Sequence, residues 1–401
     1  MKMPEPSIRR FLCALCALAC FFSTGLCSVA YAEGPEGSAP SETLTVEQAQ
    51  EMQAADEAVT SLTESDAYAA MSRDERQAAA LAELEELVDQ GLVQRGSVYS
   101  DDDSSMVSFA YSCGALGGIL LEEPEDENEE LFALPLGELP ASLDEENDYD
   151  ILGEAVIYYA FDNTINSNRY PYYAYMQAFW TSIGMPTRID TNVTVSDLRR
   201  MDQYDLCLIS AHGAYYTYTY GLFWKRLRTE PLIILAEKST PQKDLFYGFD
   251  LLLHRIIKVN GMYCVTPDFF RGTYWRGQLR DTIVLSETCE FYGVDGSVDS
   301  SMADALLAGG ARAVVGFVNN VYAIYSRSMM WDIINQLIMG QTVQDAVQHA
   351  METYGTDDLV WYRAQGGKRP HAAAAYPLLR GDENAVLYDW ELFWQEYAAA
   401  A

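Results

Sequence analysis

Residues 151–401 predict an α/β domain in which helices cover both faces of a mostly parallel sheet, and a small acidic α+β segment precedes it. Three observations lead there. Beyond residue 151, apolar runs of strand length alternate with longer stretches of helical period, the order that builds parallel sheets with covered faces. Two of the runs, 204–211 (YDLCLISA) and 281–288 (DTIVLSET), are apolar or small at consecutive positions, so they suit strands buried on both sides. Residues 33–150, by contrast, hold 31 Asp and Glu against three basic residues, Arg73, Arg76 and Arg95, a net of −28 out of the −33 carried by all 401 residues.

The first 32 residues stand outside the fold. Lys2, Arg9 and Arg10 precede an apolar run, and Ala30-Tyr31-Ala32 is a small-x-small cleavage site, so residues 1–32 read as a signal peptide. The expectation is a secreted or cell-envelope protein without stable membrane insertion once the signal is removed; the alternative is an uncleaved anchor helix. Four cysteines (Cys13, Cys16, Cys20, Cys27) leave with the signal. The mature chain keeps Cys113, Cys207, Cys264 and Cys289, with no spacing that suits a metal site. Cys207 and Cys264 sit inside apolar strands and read as small core residues.

Residues 33–121 form the acidic segment. Its first part, to about residue 60, is poor in residues to bury and reads as solvated and partly disordered. Leu81, Leu84, Val88 and Leu92 fall at helical spacing before strands at 97–99, 106–111 and 117–121, which together make a helix-plus-hairpin subdomain. Residues 122–150, with seven acidic residues among 122–130, are a linker. This acidic third excludes a nucleic-acid partner, because phosphate binding needs the opposite sign. Its single sign and its linker suit a pro-segment lying across a cleft, with a solubilising stalk as the alternative.

In the domain proper, 155–161 is the first strand. Tyr172, Tyr175, Met176, Phe179, Trp180 and Ile183 then give a helix one wide apolar face, ended at Gly184. A short strand at 188–191 and a helix at 195–201 lead to the strand 204–211. Residues 232–236 are another apolar run, and Asn260-Gly261 between two β-branched stretches marks a type I′ hairpin. After the strand 281–288 come a helix at 301–310, a strand at 313–318, helices at 322–339 and 342–354, an irregular insertion at 355–375, and two short strands around Arg380-Gly381-Asp382.

The two buried strands end in chemistry. One delivers His212-Gly213 and the other Cys289, 77 residues later, and in open parallel sheets reactive groups gather outside the carboxyl ends of strands. A free thiol is only a few per cent ionised at neutral pH, so a nucleophilic cysteine needs a base beside it. An imidazole serves as that base and later as the acid for a leaving amine. Gly213, lacking a Cβ, lets backbone approach the substrate, so its N–H and that of Cys289 suit an oxyanion hole. Strand alternation puts Glu287 on the side of Cys289, where a carboxylate lines the pocket for the residue before the scissile bond. Arg169, after the first strand, is placed to neutralise it. The remaining histidines, His254, His349 and His371, lie away from such strand ends.

LISAHG at 208–213 and IVLSETCEFYG at 283–293 resemble the two blocks of the caspase-like cysteine peptidases, clan CD, the group of clostripain, gingipains, legumain, separase and the CHAT domains. SMADALLAGGARAVVGFVN at 301–319 is similar to the helix and strand that follow the nucleophile in bacterial members. PLLRGDENAVL at 377–387 looks like their closing strand and Gly-Asp turn. The resemblance spans about 151–390. It implies a caspase-like αβα sandwich over 151–401, His212 as general base and acid, Cys289 as nucleophile, the Gly213 and Cys289 amides as oxyanion hole, and no cofactor or metal. Thr288 departs from the smaller residue of several members and bears on pocket width. Clostripain-like members with basic specificity carry an acid at the position of Glu287, which implies a Lys or Arg preference.

The expectation is therefore an exported cysteine endopeptidase acting on a protein or peptide substrate, made as a zymogen. Two alternatives use the same fold: a catalytically silent envelope binding module that works through Tyr215, Tyr216, Tyr218 and Tyr220, and an acyl transferase that passes the acyl group to an amine.

Overall fold

The computed structural model describes residues 43–101, 105–121, 153–161, 172–220, 226–364, 366–367 and 373–388. The expected signal peptide (1–32), the expected linker (122–150), Arg169 and His371 lie outside the described residues. Glu42–Thr219 and Leu227–Ala401 form one compact unit, which carries both sheets and the helices around them.

Residues expected to be disordered begin with a helix. Helix α1 (Val46–Thr63) starts in a capping box, Thr45 accepting from the Gln48 amide while the Gln48 side chain accepts from the Thr45 amide. It buries Ala49, Met52, Ala55, Asp56 and Val59, a stripe of mostly small residues whose low hydropathy concealed it. A short helix α2 (Asp66–Ala69) leads to α3 (Arg73–Asp89), which has a second capping box between Ser72 and Glu75. Strands β1 (Met106–Ala110) and β2 (Leu116–Leu120) make an antiparallel hairpin.

That hairpin is not a subdomain apart. Its second strand runs parallel to a strand from the far side of the chain, Gly117 opposite Lys258 and Gly118 opposite Val259.

Next in the chain come β3 (Ala155–Tyr159), α4 (Tyr172–Ser182), β4 (Thr187–Asp190), a 3₁₀ turn at Leu198–Gln203 in place of the expected α-helix, and β5 (Leu206–Ser210). A single residue, Ala211, separates β5 from β6 (His212–Tyr220), which pairs with β7 (Arg226–Lys238). Helices α5 (Pro241–Phe246) and α6 (Gly248–Leu252) precede the hairpin β8 (Ile256–Val259) and β9 (Met262–Val265). Asn260 and Gly261 have φ of 47° and 74°, as a type I′ turn requires. Then follow α7 (Pro267–Thr273), β10 (Ile283–Ser286), the two-residue β11 (Gly293–Val294) and β12 (Ser297–Val298), α8 (Ser301–Ala308) and β13 (Ala313–Val318). Helices α9 (Ala323–Ile338), α10 (Val343–Tyr354) and α11 (Asp358–Ala364) and strand β14 (Tyr376–Gly381) close the described fold. The insertion thus contains a helix, and one strand replaces the two expected around Gly381.

These strands make two six-stranded sheets. The first has the order β14-β13-β10-β5-β3-β4, parallel throughout except where β14 runs antiparallel to β13. Strand parity divides its side chains cleanly. Ala155, Ile157, Leu206, Leu208, Ile283, Leu285, Val315 and Phe317 pack on α4, α9 and α10. Val156, Cys207, Ile209, Val284 and Val314 face the other way, toward the 3₁₀ turn, α7 and α8. Helices on both faces of a mostly parallel sheet are the α/β architecture expected.

The second sheet, β1-β2-β8-β9-β7-β6, was not foreseen. Its strands come from the acidic segment and from the stretch after His212. A buried ion cluster fastens the two parts. Lys258 Nζ, with no exposed surface, lies 2.5 Å from Asp56 on α1 and 2.8 Å from Asp244 on α5. Tyr111 donates to Asp56 at 2.5 Å and Tyr263 to Asp244 at 2.7 Å. Burial raises the Asp244 carboxyl above its usual range and Lys258 restrains the rise. Two carboxylates around one buried ammonium persist only where every group is paired. Arg76, one of the three basic residues of the acidic segment, sits in α3 with its guanidinium on the Tyr68, Ala69 and Leu121 carbonyls.

No helix among the described residues is long and apolar enough to cross a membrane.

Candidate active site

His212 and Cys289 lie just beyond the carboxyl ends of two neighbouring strands. Strands β5 and β10 run parallel, Leu206 opposite Ile283 and Ile209 opposite Ser286, and the Glu287 amide continues the ladder to the Ile209 carbonyl at 2.8 Å. The next pair, Ser210 and Glu287, is joined by a side-chain hydrogen bond at 2.7 Å, and just beyond it, where β6 leaves for the second sheet, Gly213 comes against the Cys289 carbonyl. On the other flank of β5, Tyr159 of β3 lies opposite Ser210, and Phe161 two residues on packs edge-on against the His212 ring at 4.6 Å. The three strand ends therefore carry two layers on one face: Tyr159, Ser210 and Glu287 below, and Phe161, His212 and Cys289 above.

Gly213 is where the approach is tightest. A Cβ there would lie 2.0 Å from the Cys289 carbonyl oxygen and 2.4 Å from Thr288 Cγ2, so only glycine brings the His-Gly turn against the nucleophile's backbone. Thr288 does not narrow an open pocket: it is fully buried, its hydroxyl accepts from Ser286 at 2.8 Å, and its amide donates to that same Ser286 oxygen.

The two reactive groups have distinct environments. Desolvation of the partly buried ring lowers the His212 pKa to about 4, so the imidazole is neutral at physiological pH and a weaker base than a free histidine. Cys289 is half-buried and in no disulfide, and its thiol donates toward the Val321 carbonyl 3.8 Å away. Glu290, just beyond it, has φ of 53°, so the chain turns sharply after the nucleophile.

The lower layer is a buried polar cluster. Glu287 is 6% exposed. Its Oε2 accepts from Tyr173 at 2.6 Å and from Ser210 at 2.7 Å, and Arg327 Nε donates to the Tyr173 hydroxyl at 3.1 Å. Burial raises the Glu287 pKa while Arg327, Tyr173 and Ser210 oppose the rise. Sequence reasoning gave Glu287 a counter-charge in Arg169, which lies outside the described residues; among those described, Arg327 of α9 faces it. Tyr173, Ser210 and Arg327 were missed. The one signal was a lone Arg among the apolar residues of α9, a helix that buries Arg327 with ten others.

Other candidates fall elsewhere. His254 contacts the Gly114 carbonyl at 3.0 Å, and His349 is exposed beside Asp332 on helix surfaces. Cys207 and Cys264 are buried. Tyr216 and Tyr218 are buried in the second sheet, and Tyr216 donates to the Gly117 carbonyl, so they are packing residues and offer no recognition surface. Among the described residues no three His, Cys, Asp or Glu side chains group as metal ligands.

No family model matches this chain, and no curated protein matches it.

Proposed function

We propose that this chain is an exported cysteine endopeptidase of the caspase-like kind. The observation that carries the reading is the approach of Gly213 to the Cys289 carbonyl, which holds the His-Gly turn and the Cys loop together at adjacent parallel strand ends.

The chemistry follows from the two groups. His212 takes the thiol proton, and the Cys289 sulfur adds to the scissile carbonyl carbon. The Gly213 and Cys289 amides meet the oxyanion as the C=O bond opens. His212 then gives its proton to the leaving amine, the C–N bond breaks, and a thioester remains. Water loses a proton to His212 and adds to the thioester; the C–S bond breaks, and the proton returns to sulfur.

For the residue before the scissile bond we propose Lys or Arg, read by Glu287. Its Oε1 has no hydrogen-bond partner and is buried, so a substrate cation reaches it only if the residues above it move aside, and Arg327 works against that attraction.

The test is labelling of the mature protein with a thiol-reactive acyloxymethyl ketone peptide library, followed by mapping of the modified residue. Cys289 is the expected site. Cys289→Ala and His212→Ala abolish peptide hydrolysis with the fold intact, and Cys207→Ala keeps it. Full turnover by Cys289→Ala would remove the nucleophile assignment.

A further inference from the structure

Beyond the dyad, the geometry points to Asn319 as the residue that positions the nucleophile's own peptide plane. Asn319 ends β13, thirty residues after Cys289, and is 4% exposed. All its backbone and side-chain polar groups are engaged, and three of its four bonds reach the turn that follows Cys289. Its carbonyl accepts from the Glu290 amide at 2.9 Å, its amide donates to the Gly293 carbonyl at 2.9 Å, and its Oδ1 accepts from the Asp295 amide at 2.7 Å. The fourth bond, from Nδ2 to the Ala374 carbonyl at 2.8 Å, anchors the side chain from behind.

These contacts complete a clamp. The peptide between Cys289 and Glu290 has its oxygen against Gly213 and its N–H on Asn319, so both ends of one plane are held. The Cys289 N–H assigned to the oxyanion belongs to the preceding peptide, and holding the plane that follows it restricts rotation about ψ at Cys289 and so the angle between the two planes. The residue type also fits. Asn319 has φ of 64°, a left-handed conformation that disfavours most L-residues and that Asn tolerates best after Gly. Glycine would tolerate that φ equally well, yet it would lose both side-chain bonds. The choice of Asn over Gly is thus explained by the bonds to Asp295 and Ala374. This role rests on the peptidase reading above.

The experiment separates acyl transfer from thiol reactivity. Alkylation of Cys289 by iodoacetamide needs the thiol and its base but no oxyanion hole, whereas peptide hydrolysis needs all three. Asn319→Gly, which keeps the backbone conformation, is expected to lower kcat about tenfold or more, leave KM within about twofold, and leave the alkylation rate within about twofold. Asn319→Asp keeps the acceptor for Asp295 and is expected to fall between. It also stands in if the glycine variant does not fold. Wild-type kcat in the folded variants would overturn the clamp, as would an equal fall in kcat and alkylation. A wild-type protein that is alkylated at Cys289 but cleaves no peptide would instead overturn the peptidase reading, and this role with it.

Discussion

Replacing Gly213 with alanine adds one methyl group at the narrowest point between the two strand ends. The new Cβ would start 2.0 Å from the Cys289 carbonyl oxygen, where real contacts of this kind are not found below 3.0 Å. The obstacle is backbone, so no side-chain rotation relieves it, and Thr288 Cγ2 at 2.4 Å blocks the second direction. The His212 turn and the Cys289 loop must therefore separate by about 1 Å, a displacement that costs on the order of 10²-fold in rate when it falls between reacting groups. That is about 2.7 kcal/mol of transition-state stabilisation at 1.36 kcal/mol per tenfold. Overpacking adds a stability cost of about 1–3 kcal/mol, small enough to leave a folded protein. The assay is kcat and kcat/KM on a peptide cleaved by the wild type, with near-ultraviolet circular dichroism and thermal unfolding on the same preparation. A folded Gly213→Ala variant with turnover within about twofold of wild type would refute the claim that this contact sets the dyad.

Three further outcomes are expected. His212, depressed to about 4 by burial, binds fewer protons than an unfolded-chain histidine between about pH 4 and 6.5; its contribution to stability is full above 6.5 and fades as pH falls toward 4. In Cys289→Ala, which removes the thiolate, proton NMR of the His212 ring should show a midpoint well below 6.5, and a midpoint at or above 6.5 would contradict its burial. Glu287→Gln replaces the carboxylate that accepts from Tyr173 and Ser210 and is expected to cost about 1–3 kcal/mol in denaturant unfolding; it should also remove a Lys or Arg preference, and an unchanged preference for Asn or Asp in both proteins would exclude Glu287 as its source. Lys258→Met strands Asp56 and Asp244 together in the core and is expected to cost about 3–5 kcal/mol, and a chain begun near residue 148 should be unstable rather than activated, since β8 loses β2 and Lys258 loses Asp56; a stable, more active truncated protein would restore the idea of a removable cover.

The sequence by itself determined the elements whose signal is local. Consecutive apolar residues in 204–211 and 281–288 predicted β5 and β10, the Asn260-Gly261 pair predicted its hairpin, and 3-4 spacing predicted α4 and α10. Positions at strand ends singled out His212 and Cys289, and alternation put Glu287 on the face of Cys289. Long-range partners decided the rest. Helix α1 is built from alanines and a methionine with little hydropathy of their own, and it is buried because β8 supplies Lys258 for Asp56. The second sheet joins strands more than a hundred residues apart, and no local pattern encodes which edge a hairpin will meet. Arg327 faces Glu287 because α9 packs on that face of the sheet, a matter of packing that no local pattern encodes. Asn319 reads in sequence as an ordinary turn residue; only the fold brings its carbonyl to the amide after Cys289, since the closeness of two loops is set by neighbouring strands and not by spacing along the chain.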